Sequence, residues 1–339
     1  MIENVQQLED TLSTPSPALV RDLAGLGGDI LIIGAGGKMG PSLARLARRA
    51  LIEGGSAHRV IAVARFSSRE ARAALDAAGI ETVAADLLNP DDLAALPNAP
   101  NVIYMLGMKF GTTGREHETW ATNTYLPGRV AERYAQSRIV AFSTGNVYPL
   151  TPVTHGGATE DCPPEPLGEY AQSCLGRERL FEYFSRRSGT PMAILRLNYA
   201  IDLRYGVLHD IGRAVYGGRP VSLAMGNANV IWQGDANTLA LRALTVAASP
   251  PCILNITGPE IVSIRTVATQ FAAYFDRATQ FEEEESPTAL LSNASRTFRH
   301  FGYPQVTLQQ MIEWTAHWIG AGGATLDKPT HFQEREGRF

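Results

Sequence analysis

The stretch that decides the fold is ILIIGAGGKMG, residues 30–40. It begins with four branched apolar residues, a pattern typical of a strand buried on both faces, and the pattern ends at Gly34. After Gly40, apolar residues at positions 43, 46, 47, 50 and 51 recur at helical spacing until two glycines at 54 and 55. The glycines of residues 34–40 therefore lie at a turn between a buried strand and an amphipathic helix.

Each of three glycines in this turn has a predicted role toward a bound dinucleotide. Gly34 can turn the chain sharply, Gly37 lets the backbone approach a pyrophosphate, and Gly40 lets the helix pack closely on the strand. The helix N-terminus offers N–H groups and the positive end of a dipole to the phosphates. This context predicts a dinucleotide site, and the alternative is a tight turn without a ligand.

The composition excludes several classes of protein. A chain of 339 residues with 45% hydrophobic content can form one large domain or a domain with a smaller lobe. A net charge of −4 with interspersed signs predicts no nucleic-acid partner. No apolar run approaches the roughly 20 residues of a membrane span, and the N-terminus does not resemble a signal peptide, so we expect a cytoplasmic protein without a membrane partner. Three scattered cysteines and seven histidines without ligand spacing predict neither disulfides nor a metal site.

Two features bear on the adenosine half of a dinucleotide. The second predicted strand, residues 59–64, is followed by Arg65 rather than by an acid, which favours NADP slightly over NAD because arginine suits a 2′-phosphate. The alternative is that this arginine is an ordinary surface residue. A third predicted strand, residues 81–84, precedes Asp86, which could hold the adenine amino group or cap the next turn.

Further predicted strands bring more polar residues to the same edge of the sheet. Residues 101–106 form a buried strand followed by the glycine-flanked loop 107–111, which should line the nicotinamide half of the cofactor. Residues 138–142 lead into STGNVY at 143–148, and EYAQSC at 169–174 opens a helix. Because parallel sheets bind ligands at the carboxyl ends of their strands, these segments should meet around one site.

By these motifs the chain resembles the extended short-chain dehydrogenases/reductases of the NAD-dependent epimerase/dehydratase family, over residues 29–319. The family's GxxGxxG spacing is matched by residues 34–40, its helix asparagine by Asn123, and its loop ending in a valine-tyrosine pair by residues 143–148. The resemblance implies an α/β fold, with a doubly wound parallel sheet of about seven strands and a smaller discontinuous substrate lobe. It implies an N-terminal appendage at 1–28, a dinucleotide-binding domain at 29–198 plus 230–274, a lobe at 199–229 plus 275–320, and a tail at 321–339.

The resemblance also assigns site residues. Cofactor contacts are implied for Gly34, Gly37, Lys38, Met39, Gly40, Arg65, Asp86, Leu87, Leu106, Gly107, Met108, Ser143, Tyr170 and Leu197. Substrate contacts are implied for Asn198, Tyr199, Arg204, Tyr205 and Trp232, although Arg204 could equally be a surface residue. Tyr170 would transfer a proton, Thr144 would hydrogen-bond the reacting oxygen, and Asn123 would support a proton relay.

The chain departs from the family at one catalytic position. Family members carry a lysine four residues after the tyrosine, on the same helical face, where its charge lowers the pKa of the phenol. Tyr170 is present, but Cys174 occupies the lysine position, and a phenol with a pKa near 10 is ionised to only about one part in a thousand at neutral pH. Arg177 or Lys109 could supply the cation instead.

Two other interpretations stay open. The reaction could proceed without a phenolate, through Thr144 or through an elimination or epimerisation with its own base. Alternatively, the protein could bind NAD(P) without turnover and act as a sensor or partner protein. Cys174 could also be a nucleophile, but a buried helical cysteine is more often an apolar filler.

The family implies a sugar-derived substrate, either a nucleotide sugar or a sugar acid. It also implies a possible homodimer, formed by the Asn123 helix and the Tyr170 helix. We expect Tyr134, Phe181 and Phe184 on the exposed faces of these helices. The tail at 321–339 is polar and charged, and is expected to be disordered or laid over a neighbouring surface.

Overall fold

The computed structural model of the chain describes residues 1–109, 111, 113–328 and 330–338. Phe110 of the predicted nicotinamide loop, and Pro329 and Phe339 of the predicted tail, lie outside the described residues. Two helices precede the first strand, and strands and helices then alternate along much of the chain.

Within the described residues the strands are β1 (Ile30–Ile33), β2 (Val60–Ala64), β3 (Glu81–Ala84), β4 (Asn101–Tyr104), β5 (Arg138–Thr144), β6 (Thr151–Pro152), β7 (Met192–Leu197), β8 (Ala200–Ile201), β9 (Val221–Ser222), β10 (Asn227–Ala228), β11 (Ile231–Trp232), β12 (Cys252–Ile256), β13 (Val262–Ser263), β14 (Phe281–Glu282) and β15 (Thr288–Ala289). The helices are α1 (Val5–Leu12), α2 (Pro17–Ala24), α3 (Gly40–Glu53), α4 (Arg69–Ala77), α5 (Pro90–Ala95), α6 (Glu116–Trp120), α7 (Leu126–Arg133), α8 (Gly168–Ser188), α9 (Val207–Tyr216), α10 (Gln233–Arg242), α11 (Ile264–Phe275), α12 (Ser295–Phe301) and α13 (Leu308–Gly320). A π-helical turn, Ala121–Tyr125, joins α6 to α7.

The main sheet has seven strands in the order β12-β7-β5-β4-β1-β2-β3, and every pairing within it is parallel. The predicted doubly wound parallel sheet is confirmed. Because β1 has β2 on one side and β4 on the other, the strand order reverses at β1, and a crevice opens at the carboxyl ends of β1 and β4. The glycine turn begins at this crevice.

The central strand β1 is buried because its side chains alternate between two cores. Ile30 and Ile32 pack with α3 on one face, and Leu31 and Ile33 pack with α7 and α8 on the other. All four are at most 1% exposed. Burying one such side chain contributes about 1.5–3 kcal/mol, so β1 is fixed strongly in place and the turn that follows it is fixed as well.

The smaller lobe has a core of its own, formed mainly by α9, α11 and α13. All but the last residue of helix α11 lies in the segment 230–274, which is predicted to belong to the dinucleotide-binding domain, but its apolar face packs in the lobe. The N-terminal residues 1–28 are shared between the two parts. Leu8 and Leu12 of α1 pack in the lobe core, whereas Leu19 and Leu23 of α2 pack against the sheet.

The described part of the tail lies on this chain's own lobe. Phe332 is 6% exposed and belongs to the lobe core. The Leu326 N–H donates to the carbonyl of Arg204 at 3.1 Å, and Thr330 donates to Asp210 through its N–H at 2.8 Å and its hydroxyl at 2.6 Å. Of the two expected arrangements of the tail, disorder or packing over a neighbouring surface, the structure shows the second.

The prediction of exposed aromatic side chains is wrong for two of three residues. Tyr134 and Phe181 are 2% and 0% exposed and pack between the sheet and its helices, and Phe184 is half-buried. Among the described residues of these helices, the exposed aromatic side chains are those of Trp120, Tyr125 and Tyr183. Over the described residues, no helix is both long and apolar enough to cross a membrane.

Candidate active site

The glycine turn contains two kinds of glycine, which differ in whether the protein leaves room for a Cβ atom. Gly34 has a φ of +91°, and a Cβ there would lie 2.7 Å from the backbone nitrogen of Leu106. A Cβ at Gly40 would lie 2.3 Å from the carbonyl oxygen of Ala35. Both glycines are therefore required by close approach within the protein itself.

Gly37 is different. A Cβ there would meet nothing closer than the Gly34 carbonyl oxygen, at 3.4 Å. The protein's own packing leaves room for a side chain, so a glycine fits a position that a ligand approaches closely. Helix α3 begins directly after this point, and no side chain among the described residues caps it. The turn thus fits the pyrophosphate of NAD(P), held by backbone N–H groups and the helix dipole.

The residues predicted around adenosine are at the sheet edge. Arg65 is exposed just after β2. Asp86 is exposed just after β3, and its carboxylate accepts a hydrogen bond from the Leu88 N–H at 3.2 Å. Leu87 is 5% exposed and packs in the sheet core. Asp86 thus has the turn-capping role, with its carboxylate still accessible.

Asn123 fixes the loop that follows β4. It is buried in the π-helical turn, and its Oδ1 accepts from the Met108 N–H while its Nδ2 donates to the Met108 carbonyl, both at 2.8 Å. The same amide accepts from Arg177 at 2.9 Å and donates to Ser173 at 3.0 Å. Both polar atoms of the amide are occupied, so Asn123 positions the residues 106–109 and the helix behind them.

Arg177 forms the buried wall behind Tyr170. Its guanidinium donates to the Phe142 carbonyl at 2.8 Å and to both the backbone and the side chain of Asn123. A Cβ at Gly107 would lie 2.8 Å from Nη2 of Arg177, which explains the glycine at that position. Burial disfavours its charge, yet Cys174 and neighbouring tyrosines raise the pKa of Arg177 above its ordinary value. It is a fixed positive charge.

A cavity of about 160 Å³ opens at the carboxyl ends of the strands. It brings together these predicted residues: Lys38, Met39, Lys109, Ser143, Thr144, Tyr170, Leu197, Asn198, Tyr199 and Tyr205. It is also lined by residues that sequence reasoning missed: Asn146, Ala200, Gly206, Val207, Gln233 and Thr330. Asn146 lies within the quoted STGNVY loop and could have been found there, whereas Thr330 lies in a tail that carries no motif.

Tyr170 interacts with two neighbours at this cavity. Its hydroxyl is hydrogen-bonded with Thr144 and with Cys174. Burial raises the pKa of Tyr170 far above its ordinary range, Cys174 adds to the effect, and Arg177 acts against it. Burial likewise raises the pKa of the Cys174 thiol. Both groups are therefore protonated and neutral at pH 7.

Ser143 lines the cavity, but its hydroxyl takes part in a hydrogen-bond network within the protein. Its hydroxyl donates to Glu178 at 2.5 Å, and Glu178 forms a buried ion pair with Arg196 at 2.7 Å. Arg196 also donates to the hydroxyl of Tyr148 at 2.8 Å. This network ties β5, β7 and α8 together directly beneath the site.

Two lysines supply positive charge at the cavity. The Nζ of Lys109 lies 5.7 Å from the centre of the Tyr170 ring, and burial lowers the pKa of Lys109 to about 8. The Nζ of Lys38 lies 2.9 Å from the centre of the Tyr205 ring. Burial, then the charges of Lys109 and Lys328, lower the pKa of Lys38 to about 7.

Two residues assigned to the substrate site lie outside the cavity. The Arg204 guanidinium pairs with Asp202 at 2.6 Å and with Glu9 at 2.7 Å. Trp232 is 1% exposed and packs edge-on against Trp314, with ring centres 5.3 Å apart. In the structure, Arg204 ties α1 to the lobe and Trp232 belongs to the lobe core. Among the described residues, no cluster of three His, Cys, Asp or Glu side chains could hold a metal ion.

A turn suited to pyrophosphate beside a tyrosine–threonine pair defines a dinucleotide-dependent enzyme of the short-chain dehydrogenase/reductase type. The family model described as "NAD dependent epimerase/dehydratase family" matches residues 30–201. The chain belongs to this family, as the sequence motifs predicted. No curated protein sequence matches the chain.

Solved structures show the same fold. A UDP-glucuronic acid 4-epimerase from Bacillus cereus, in complex with UDP-glucuronic acid and NAD, is similar with a TM-score of 0.69 and 19% identity, over 86% of this chain and 99% of that one. The Thermotoga maritima UDP-glucose 4-epimerase with UDP-glucose has a TM-score of 0.69 and 15% identity, over 87% and 99%. The Bordetella bronchiseptica enzyme WbmG, in complex with NAD and UDP, has a TM-score of 0.70 and 19% identity, over 89% and 98%.

Proposed function

We propose that this protein oxidises, epimerises or dehydrates a sugar derivative with NAD(P), the substrate being a nucleotide sugar or a sugar acid. The observation that carries the proposal is that Tyr170, Thr144 and Lys109 line one cavity beside the glycine turn. The solved structures with NAD and UDP-sugars support it, because they share the sheet on which these residues are placed.

The roles follow from the contacts. Bound NAD(P) supplies the two-electron chemistry at the sugar carbon. Thr144 hydrogen-bonds the Tyr170 hydroxyl at the cavity, where the protonated hydroxyl gives a proton to the substrate oxygen and the resulting phenolate takes one back in the reverse direction. Thr144 itself can hydrogen-bond the same oxygen. Asn123 acts as a positioning residue, since its amide holds the loop and Arg177.

Lys109 supplies the positive charge that the family's helix lysine would supply at position 174. A proton that leaves the buried Tyr170 hydroxyl creates a negative charge that must be stabilised nearby. Lys109 lines the same cavity and is mostly protonated below its pKa of about 8. Arg177 contributes a second, immobile charge from behind, and Cys174 is a neutral filler between them.

The cofactor preference is proposed to be NADP over NAD. Arg65 and Arg69 are both exposed directly after β2, where a 2′-phosphate would lie. Titration with NADPH and NADH, followed by fluorescence, measures this directly. We expect tighter binding of NADPH, and equal affinities would remove the proposed preference.

A homodimer is proposed through α6–α8. Trp120, Tyr125 and Tyr183 are 37%, 55% and 53% exposed on these helices, and aromatic side chains are enriched at protein interfaces. Light scattering after gel filtration should give twice the mass of one chain. A Tyr125→Glu/Tyr183→Glu variant should give a monomer.

The test of function uses purified protein with NAD(P)⁺ and a panel of UDP-glucose, UDP-glucuronic acid, glucuronate and galacturonate. Turnover by the wild type, lost in Tyr170→Phe with cofactor affinity unchanged, is expected. Cofactor binding without any turnover, with activity appearing only in Cys174→Lys, would instead identify a catalytically impaired cofactor-binding protein. No binding of either nucleotide would overturn the proposal entirely.

A further inference from the structure

Two lysines from different segments of the chain line the cavity. Lys38 extends from the glycine turn, and Lys109 extends from the loop after β4. The Lys38 amine crosses toward the smaller lobe, where it lies 2.9 Å from the centre of the Tyr205 ring. It is therefore directed at the substrate side of the cleft, although its backbone belongs to the cofactor turn.

The described side chains that line the cavity include more basic than acidic groups. Among the described lining residues, two are lysines and none is an aspartate or a glutamate. The acids that do act on Lys38 are Asp202 and Asp210. Asp202 is paired with the Arg204 guanidinium at 2.6 Å, and Asp210 accepts two hydrogen bonds from Thr330. Both acids are thus shared with other donors outside the lining.

Two like charges that face one cavity repel each other, and the Lys109 charge is one of the causes that lower the pKa of Lys38. An anion bound in the cavity counteracts this repulsion, because it attracts both amines. Hydrogen bonds between an ammonium and an oxyanion are roughly twice as strong as neutral ones. Thr330 adds a polar group to the same wall.

We infer that the substrate carries a carboxylate group near its reacting carbon, and that Lys38 and Lys109 bind this oxyanion inside the reaction cavity. The inference rests on the proposed function and makes it narrower. It selects a sugar acid, free or nucleotide-linked, over the corresponding neutral sugar. Lys38 becomes a specificity-determining residue.

The cofactor's phosphates are the other source of oxyanions. The pyrophosphate is expected at Gly37 and the N-terminus of α3, where backbone N–H groups can hold it. The Lys38 amine lies over the Tyr205 ring, within the substrate lobe. This geometry favours a substrate anion, and the experiment separates the two sources.

The experiment measures binding by calorimetry in the presence and absence of saturating NADH. The ligands are glucuronate against glucose, and UDP-glucuronic acid against UDP-glucose. The variants are Lys38→Met and a matched control, Lys328→Met, which removes one positive charge near Lys38 from outside the cavity lining. NADH affinity is measured for each protein on its own.

The wild type and Lys328→Met should bind the acid at least about ten-fold tighter than the neutral partner, while Lys38→Met should lose most of this discrimination. Equal affinity of the wild type for acid and neutral sugars would overturn the inference. A Lys38→Met variant that weakens NADH and leaves the discrimination intact would overturn it too, and would assign Lys38 to the cofactor.

Failure of the proposed function gives a different result. In that case neither nucleotide binds and no sugar is turned over. The Lys38-dependent preference for glucuronate over glucose is measured without cofactor as well, so failure of the inference and failure of the proposed function give different results.

Discussion

The two sides of the cavity around Tyr170 carry positive charge in different ways. On the buried side, the Arg177 guanidinium donates hydrogen bonds to the Phe142 carbonyl and to Asn123. On the open side, Lys109 and Lys38 line the cavity with lowered pKa values. The comparison teaches that proximity to a catalytic tyrosine does not define a role. Arg177, which is buried behind the site, supports the structure. Lys109 and Lys38, which line the cavity, can take part in binding or chemistry.

The largest expected effect concerns stability on the buried side. Arg177→Met should lower the free energy of unfolding by about 3 kcal/mol or more, because it leaves buried carbonyl and amide oxygens without their charged donor. Denaturant titration measures this. Lys109→Met is the control and should change stability by less than about 1 kcal/mol. Similar losses in both variants would contradict the division between the two sides.

The second effect concerns turnover on the open side. Lys109→Met should reduce kcat by about a hundred-fold, because the Tyr170 hydroxyl loses the charge that stabilises its deprotonated form. The affinity for NADH should stay within about three-fold of wild type. Steady-state kinetics and a fluorescence titration check both values. A Lys109→Met enzyme with unchanged kcat would leave Arg177 as the functional cation.

The distinction between residues required for structure and residues that face a ligand can also be tested at the glycine turn. Gly40→Ala should destabilise the protein by about 2 kcal/mol, because its Cβ would lie 2.3 Å from a backbone oxygen. Gly37→Ala should leave stability within about 0.5 kcal/mol and weaken NADH binding instead. Thermal unfolding with and without NADH distinguishes the two. Equal destabilisation by both substitutions would show that Gly37 is also required by internal packing.

The smallest effect is the pH dependence of binding. The pKa values of about 7 for Lys38 and about 8 for Lys109 lie below the ordinary lysine value, so both amines lose their charge as pH rises through this range. The facing groups are Tyr205, Asp202, Asp210 and Lys328 for Lys38, and Tyr170 and Cys174 for Lys109.

Affinity for glucuronate should therefore fall about ten-fold between pH 7 and pH 9. The unfolded chain binds more protons at these lysines than the folded one, so their contribution to the free energy of unfolding rises over the same range. Calorimetry and denaturant titration at several pH values should show the two opposite trends. Affinity that is independent of pH would exclude the lysines from the anion site.

The parts that sequence predicted well are those fixed by local patterns. A short run of branched residues ending in glycine specifies β1 and its turn, because the buried strand and the helix that follows need no distant information. The roles of Tyr170 and Thr144 are implied by the resemblance to the family, which is carried by short motifs in the sequence. The structure confirms the sheet and places both side chains on one cavity.

The remaining parts depend on contacts between distant segments. Asn123 binds Met108 and Arg177, and no local pattern shows that its amide is fully used by them. The aromatic residues Tyr134 and Phe181 face the sheet because α7 and α8 pack there, which helical periodicity alone does not determine. Arg204 looked like a ligand-binding residue until its partner Glu9 in the first helix was known.

The tail has a consequence for the order in which the protein becomes functional during synthesis. The ribosome makes Thr330 and Phe332 only after every strand of the main sheet. A nascent chain that has reached residue 320 already contains the glycine turn and Tyr170, but it lacks the segment that closes the lobe core and one wall of the cavity. Such a chain carries the residues proposed to bind the nucleotide before it carries the tail residue that lines the proposed sugar site.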